Sequence, residues 1–514
     1  MYPHSTALNA ARRTADWNSL ADAAAQSKDI DLLVIGAGIT GAGIALDAAS
    51  RGLDVVLIDA HDLAFGTSRW SSKLAHGGLR YLASGNVGIA RRSARERGIL
   101  METTAPHLTR ALPQVVPVRK EYSIANKVLP RLGFIAGDAL RVLAATKTST
   151  LPWSKTVKAE SVQELSPTVK MDGLRFGYVN HDGQLVDDAR LVTAIARTAA
   201  GYGAKVLTHV RAVSATGTTA ELRDELTGDT LSLTPRAVVN ATGVWAGDLA
   251  SNIKVRPSRG THLVVAADKL GNPTGALTVP VPGHTNRFCF ILPAPHGRVY
   301  IGLTDEDAPG PIPDVPEVPE EDIDFLLDVV NPALETPLTR ADIDGAFAGL
   351  RPLIDAGEGH TADLSREHAL VVDDTGLITI TGGKLTEYRL MAEQTVDKVV
   401  ERLGATVADC FTDRIGLVGA QGLRDDKPAT GIPPQLAQRY GSEAKTVLDE
   451  CLLDRPEEPV AEGLDVLRAE FSWYVTHEGA LTVDDIVDRR CRLGLVPADR
   501  AKAEACANEA IALI

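Results

Sequence analysis

The chain has 514 residues, 44% hydrophobic and 23% charged, which excludes a disordered or fibrous protein and divides into two or three domains with their own interiors. A formal net charge of -14 supplies no global positive field for nucleic acid or anionic lipid, so an anionic substrate has to meet locally clustered Arg and Lys. Cys289, Cys410, Cys451, Cys491 and Cys506 are odd in number and widely spread, without metal-type spacing; they read as reduced cytosolic thiols, with no metal site.

Residues 14 to 28 predict a short Ala-rich helix, and its charges Asp16 and Asp22, with Arg12 and Arg13 before it, are unlike a signal peptide. No run approaches the roughly 18 apolar residues of a membrane span. Ile30 to Ile35 is an apolar run broken only by Asp31 and predicts a buried parallel strand. Glycines follow, then a helical pattern through Ile44, Ala45, Ala48 and Ala49, then a second apolar run from Leu53 to Ile58. This is a βαβ unit. Arg91 to Met101 and Val186 to Tyr202 predict helices, and Ala237 to Gly243 a buried strand ending in a turn. Short apolar runs between residues 255 and 303, separated by Pro and Gly, predict an antiparallel sheet. The acidic, Pro-rich stretch 306 to 321 predicts an exposed loop, and the chain after about residue 400 predicts helices.

In GAGITG, Gly36, Gly38 and Gly41 allow a tight turn, close approach to a pyrophosphate and close packing of helix on strand. Ile39 and Thr40 open the helix, whose N-terminus favours an anion. The second strand ends at Asp59 and Ala60, where the carboxylate suits a ribose hydroxyl. This turn serves FAD and NAD equally. A second small-residue turn at Ala241, Thr242 and Gly243 follows the later buried strand.

Residues 66 to 82, GTSRWSSKLAHGGLRYL, resemble the segment after the second strand in the FAD-dependent glycerol-3-phosphate dehydrogenases. The resemblance continues through APHL at 105 to 108, NATGVWAGDL at 240 to 249, RGTHLVV at 259 to 265, GLRPL at 349 to 353, SREHAL at 365 to 370 and TGGKLTEYR at 381 to 389. It implies an α/β FAD-binding domain, Rossmann-like and of the glutathione-reductase type, with an antiparallel β-sheet substrate domain and a C-terminal α-helical domain. The implied division is an N-terminal helical extension at 1–29 and a discontinuous FAD-binding domain at 30–100, 160–255 and 345–400, with a substrate-binding cap at 101–159 and 256–344 and the helical domain at 401–514. The implied reaction oxidises sn-glycerol 3-phosphate to dihydroxyacetone phosphate, FAD passing electrons to a membrane quinone; the alternative is a glycerol-3-phosphate oxidase returning them to oxygen, or another FAD oxidase on the same scaffold.

Thr67, Ser68, Ser71, Ser72 and Lys73 would face the pyrophosphate, and Leu74, His76 and Gly77 the flavin, which also approaches Gly382, Gly383, Lys384, Leu385 and Thr386. Carried over by motif, Arg351 and Arg366 bind the substrate phosphate, with Arg80 and Tyr81 near the flavin. The catalytic set is His262 as general base, Lys384 stabilising the alkoxide, and Arg351. Arg256, Arg259 and Arg287 stay unassigned. Residues 127 to 158 combine Lys127, Arg131, Arg141 and Lys147 with Leu129, Leu132, Phe134, Ile135, Leu140 and Trp153. They read either as a buried amphipathic helix or as a patch attaching a cytoplasmic protein peripherally to the inner face of the membrane. Nucleic acid is not an expected partner, and a homodimer is left open.

Overall fold

The computed structural model describes residues 2–79, 81, 86–284, 287–354, 367–422 and 431–514. Its first sheet has six strands, in the spatial order His368–Val372, Ile378–Gly382, Ala237–Asn240, Leu32–Ile35, Val55–Ile58 and Lys205–Leu207. All neighbours run parallel except the first pair. Leu32–Ile35 is buried on both faces: Leu32 and Val34 point into one core, Leu33 and Ile35 into the other. Burial on both sides explains why the strand is apolar without alternation.

On one face lie helices Ile39–Ser50, Asp188–Gly201 and Tyr388–Leu403. Gly43 lets two of them approach: a Cβ there would sit 2.9 Å from Tyr388 Cδ2. The other face is covered by helix Ala10–Ala25 and a three-stranded antiparallel sheet, Val210–Ala215, Ala220–Asp224 and Thr230–Leu233. The first helix starts four residues earlier than its composition predicts because Asn9 caps it, accepting from Arg12 N–H.

The second sheet has ten strands, antiparallel except where Ala276–Pro280 runs parallel to Thr109–Arg119. Leu74–Ala75, Leu174–Leu185 and Ile343–Ile354 are hydrogen-bonded members of it, although the sequence division groups them with the nucleotide-binding portion. These strands carry the chain between the sheets, so the junction is built from both. The Pro-rich stretch begins with the short strand Glu306–Asp307, paired with Ser258 and Arg259, and ends where a helix starts at Glu320.

Helix Val87–Ile99, predicted from residue 91, opens into a π turn at Leu100–Thr104. It packs on helix Ile124–Leu143, one face of which is solvent-exposed. Leu140 is buried there against Ala90 and Ala94, and so leaves the expected surface patch. The C-terminal part is helical, with Pro434–Tyr440, Ala444–Asp449, Arg468–Thr476 and Pro497–Ile511 sharing their own core. The five cysteines form no disulfide.

Candidate active site

The glycine turn leaves the C-terminal end of Leu32–Ile35, where adjacent parallel strands end level: Ile35 faces both Asn240 and Ile58. Gly36 has φ +103°, and a Cβ there would lie 2.7 Å from Ala241 O, so the turn admits glycine alone. Gly41 is equally constrained, since its Cβ would overlap Gly36 O. Gly38 caps the helix without a side-chain hydrogen bond, and Ile39 N–H donates to Ser68 Oγ at 2.9 Å. The Asp59 carboxylate accepts from Ala37 N–H at 2.7 Å and His61 N–H at 2.9 Å, and burial raises its pKa to about 6. A side-chain-free turn, a helix start whose own N-cap residue is a glycine and a carboxylate at the next strand end fit the adenosine-pyrophosphate half of FAD. Ala60 follows directly, while Ala241, Thr242 and Gly243 form the neighbouring turn, with Thr242 Oγ1 on Asn240 Oδ1 at 2.7 Å.

Residues 66 to 77 run from this turn to the second sheet, and several of their polar groups are engaged inside the protein. Thr67 Oγ1 donates to Leu350 O, and Ser71 Oγ to Asp188 Oδ2, both at 2.7 Å. Lys73, expected beside a pyrophosphate, is buried, 2.5 Å from Asp188 Oδ1 and 2.8 Å from Arg69 O. A buried ammonium needs such partners, because desolvation would otherwise neutralise it. Leu74 is buried in its short strand, paired with Gln184.

His262 lies on strand Val255–Ala266, 1% exposed, stacked on Phe347 with ring centroids 4.8 Å apart. Its Nε2 is 2.9 Å from Ser72 Oγ, and Nδ1 has no hydrogen-bond partner among the described residues. Burial, reinforced by Lys73 and Arg351, pushes its pKa down to about 3. The ring is therefore neutral at physiological pH but a far weaker base than the free imidazole assumed from sequence. Arg351 stands on the paired strand opposite Ser258, its guanidinium 3.1 Å from Ser258 Oγ and from Asp305 Oδ1.

Lys384 follows two glycines in the left-handed region, Gly382 at φ +81° and Gly383 at φ +76°. Its Nζ is 3.7 Å from the Tyr81 ring centre, 2.9 Å from Ser93 Oγ and 3.1 Å from Glu387 Oε1. Leu385 and Thr386 form the turn that launches the next helix. Arg80 and Arg366 lie outside the described residues.

Close by, Asp182 is buried in an ion pair with Arg97 at 2.6 Å and accepts from Gly77 N–H at 3.1 Å. His76 Nδ1 is 3.5 Å from the same carboxylate, and its side chain is half exposed. Burial alone would raise the Asp182 pKa, but Arg97 and His76 outweigh it and hold the carboxylate ionised. Gly77 leaves room for this ion pair, since a Cβ there would displace the Arg97 guanidinium. Asp182, Arg97, Ser93 and Glu387 were not assigned from the sequence, although Asp182 sits in the acidic string NHDGQLVDD at 180 to 188 and Glu387 in TGGKLTEYR at 381 to 389.

A nucleotide turn joined by one short loop to paired cationic and imidazole groups belongs to a flavin-dependent oxidoreductase. The family model described as FAD dependent oxidoreductase matches residues 31–389, and the C-terminal domain of alpha-glycerophosphate oxidase matches 410–514. Glycerol-3-phosphate dehydrogenase 1 of Mycobacterium tuberculosis (strain ATCC 25618 / H37Rv) is 56% identical over 515 residues, with 99% of each chain covered. The mitochondrial glycerol-3-phosphate dehydrogenase of Arabidopsis thaliana is 33% identical, with 93% of this chain and 82% of that one covered. The X-ray structure of the glycerol-3-phosphate dehydrogenase from Bacillus halodurans complexed with FAD has a TM-score of 0.74 at 28% identity, covering 98% of this chain and 94% of that one. The chain belongs to the glycerol-3-phosphate dehydrogenase family of FAD-dependent oxidoreductases.

Proposed function

We propose that this chain oxidises the secondary alcohol of sn-glycerol 3-phosphate to dihydroxyacetone phosphate and passes the electrons to a quinone at a membrane surface. The reading rests on residues 66 to 82, the loop after the nucleotide turn: it carries His76 beside the Asp182 carboxylate and Tyr81 beneath Lys384, and its Thr67 donates to Leu350 O, next to Arg351 in the chain. When bound, FAD supplies the hydride acceptor.

Arg351 binds the phosphate, its fork held by Ser258 and Asp305. Lys384, held over Tyr81 by Ser93 and Glu387, directs its charge to the substrate oxygen as the proton leaves. The proton goes to His76. Asp182 orients that ring through Nδ1 and stabilises the imidazolium that forms, a role the buried His262 lacks the exposure to fill. His262 instead fixes Ser72, beside the buried Lys73.

Helix Ile124–Leu143 exposes Ile124, Leu129, Leu132 and Ile135, and Trp153 is exposed nearby. No helix among the described residues is long and apolar enough to cross a membrane. Tyr81 packs with Ala90, Ala94 and Leu140 behind this exposed face, and a Cβ at Gly137 would meet Leu79 Cδ2 at 2.6 Å. The apolar surface thus lies one layer behind the flavin-facing loop, which suits a lipid surface that delivers quinone. Anaerobic addition of glycerol 3-phosphate should bleach the bound flavin, and mixing with a short-chain quinone should restore its colour faster than mixing with oxygen. An unbleached flavin would refute the substrate assignment; faster recovery with oxygen would make the chain an oxidase.

A further inference from the structure

The family match gives the C-terminal helical part no role, yet its most deeply buried charges point at the nucleotide loop. Asp485–Arg490 is a π turn, and Arg492 adopts the left-handed conformation at φ +63°, a strained geometry for a residue with a long side chain. Together they fan three arginines towards residues 62 to 69. Arg490 Nη1 and Nη2 donate to the two oxygens of Asp62 at 2.7 and 2.8 Å, and Arg489 Nε reaches Asp62 Oδ2 at 2.7 Å. Arg492 Nη2 donates to Arg69 O at 2.7 Å, and its Nε lies 3.5 Å from Asp187 Oδ2. All five of these side chains, from Asp62 to Arg492, are at least nine-tenths buried.

The segment they hold touches both ends of the site. Ala64 N–H donates to Ala37 O inside the glycine turn at 3.0 Å, and Ser68 Oγ accepts from the first N–H of the helix that follows it. Arg69 O, which Arg492 grips, also accepts from Lys73. A stacked column runs alongside: His61 on Phe65 at 3.8 Å, Arg69 over Phe65 at 4.8 Å and over Trp70 at 4.3 Å, Trp70 on Phe347 at 5.7 Å, and Phe347 on His262. Arg489 and Arg492 add their guanidiniums to the same rings, over Phe65 and Trp70.

We infer that Arg489, Arg490 and Arg492 form a clamp by which the C-terminal part holds residues 61–73 in the shape that receives FAD, with Arg492 as the positioning residue for Arg69 and the serines around it. Docking of the C-terminal part and FAD affinity are then thermodynamically linked, and the link is reciprocal: FAD tightens the clamp as the clamp tightens FAD. Neither the glycine turn nor the substrate groups touch these arginines, so the effect is distinct from catalysis.

The test uses the full chain. Arg492→Asn keeps a residue that tolerates the left-handed conformation while removing the guanidinium. Titration of the apoprotein with FAD, read by quenching of flavin fluorescence, should show a dissociation constant raised at least tenfold, with Arg492→Lys intermediate. The gain in melting temperature on adding FAD should shrink in the same order. A lower melting temperature with an unchanged FAD dissociation constant would leave Arg492 a merely structural residue and overturn the inference. Should the Asn variant not fold, the wild-type chain decides: hydrogen exchange of amides 485–492 should slow when FAD is added. Identical exchange with and without FAD would overturn the clamp.

Discussion

His262→Gln should make the apoprotein less sensitive to acid. In the folded chain the imidazole is enclosed, and burial, with Lys73 and Arg351 beside it, lowers its pKa from 6.5 to about 3. An unfolded chain has the ordinary value, so below pH 6.5 the unfolded state binds a proton that the folded state refuses. Stability contributed by the neutral ring is therefore present above pH 6.5 and lost as pH falls towards 3. At about 1.36 kcal/mol per pH unit the loss is about 2 kcal/mol by pH 5 and about 5 kcal/mol by pH 3. Glutamine retains an amide that can reach Ser72 Oγ and does not titrate, so the variant loses only what the other groups contribute. Urea unfolding of both apoproteins at pH 7.5 and pH 5 gives the comparison. The wild type should lose about 2 kcal/mol more than the variant across that interval. Equal losses would show that the ring titrates normally and reopen its claim to be the base.

Asp59 predicts the same sense for cofactor binding: its pKa of about 6 means that the carboxylate proposed to bind the ribose protonates in mild acid. FAD affinity should fall about tenfold per pH unit below 6 in the wild type and stay flat in Asp59→Asn, as measured by fluorescence titration. Replacing His76 by Asn should slow single-turnover flavin reduction about 10²- to 10³-fold while leaving FAD bound; a rate within threefold of wild type would exclude it as the proton acceptor. Arg351→Ala should raise the Michaelis constant for glycerol 3-phosphate at least tenfold, about the effect of losing one charge-assisted hydrogen bond, and an unchanged constant would remove it from the phosphate site. Changing Leu129, Leu132 and Ile135 together to Ser removes about 3 kcal/mol of transfer free energy, so liposome flotation should fall about 100-fold; undiminished flotation would move the membrane contact elsewhere.

The nucleotide end was legible because its signals are local. Gly36 to Gly41, the flanking apolar strands and Asp59 lie within 30 residues, and backbone geometry alone dictates them. The chemistry of the loop was less legible, since a side chain's partner decides its role. Lys73 reads as a cation for a phosphate until Asp188, 115 residues further on, is folded against it. His262 reads as a free imidazole until Phe347 and Gly302 close over it; a Cβ at Gly302 would lie 2.4 Å from its ring. Asp182 announces its partners by no motif, because His76 is brought to it by the pairing of Leu74–Ala75 with Leu174–Leu185 and Arg97 by helix Val87–Ile99, which only the fold creates.

The C-terminal part meets the nucleotide domain largely through ions. Arg190 pairs with Glu478 at 2.8 Å, Arg197 with Glu443 at 2.8 Å and Arg490 with Asp62 at 2.7 Å, and most of these groups are buried. Apolar side chains of the same volume would hold the two parts together at least as well, because each buried ion loses its hydration. What apolar contacts lack is a defined register: leucines slide at little cost, whereas a buried guanidinium displaced from its carboxylate costs about 3 to 5 kcal/mol. Register is what residues 61–73 need, since a shift there would move Ser68 off the helix start and Ser72 off His262 together. Buried charge at this junction is thus better explained by the position it imposes than by the stability it adds.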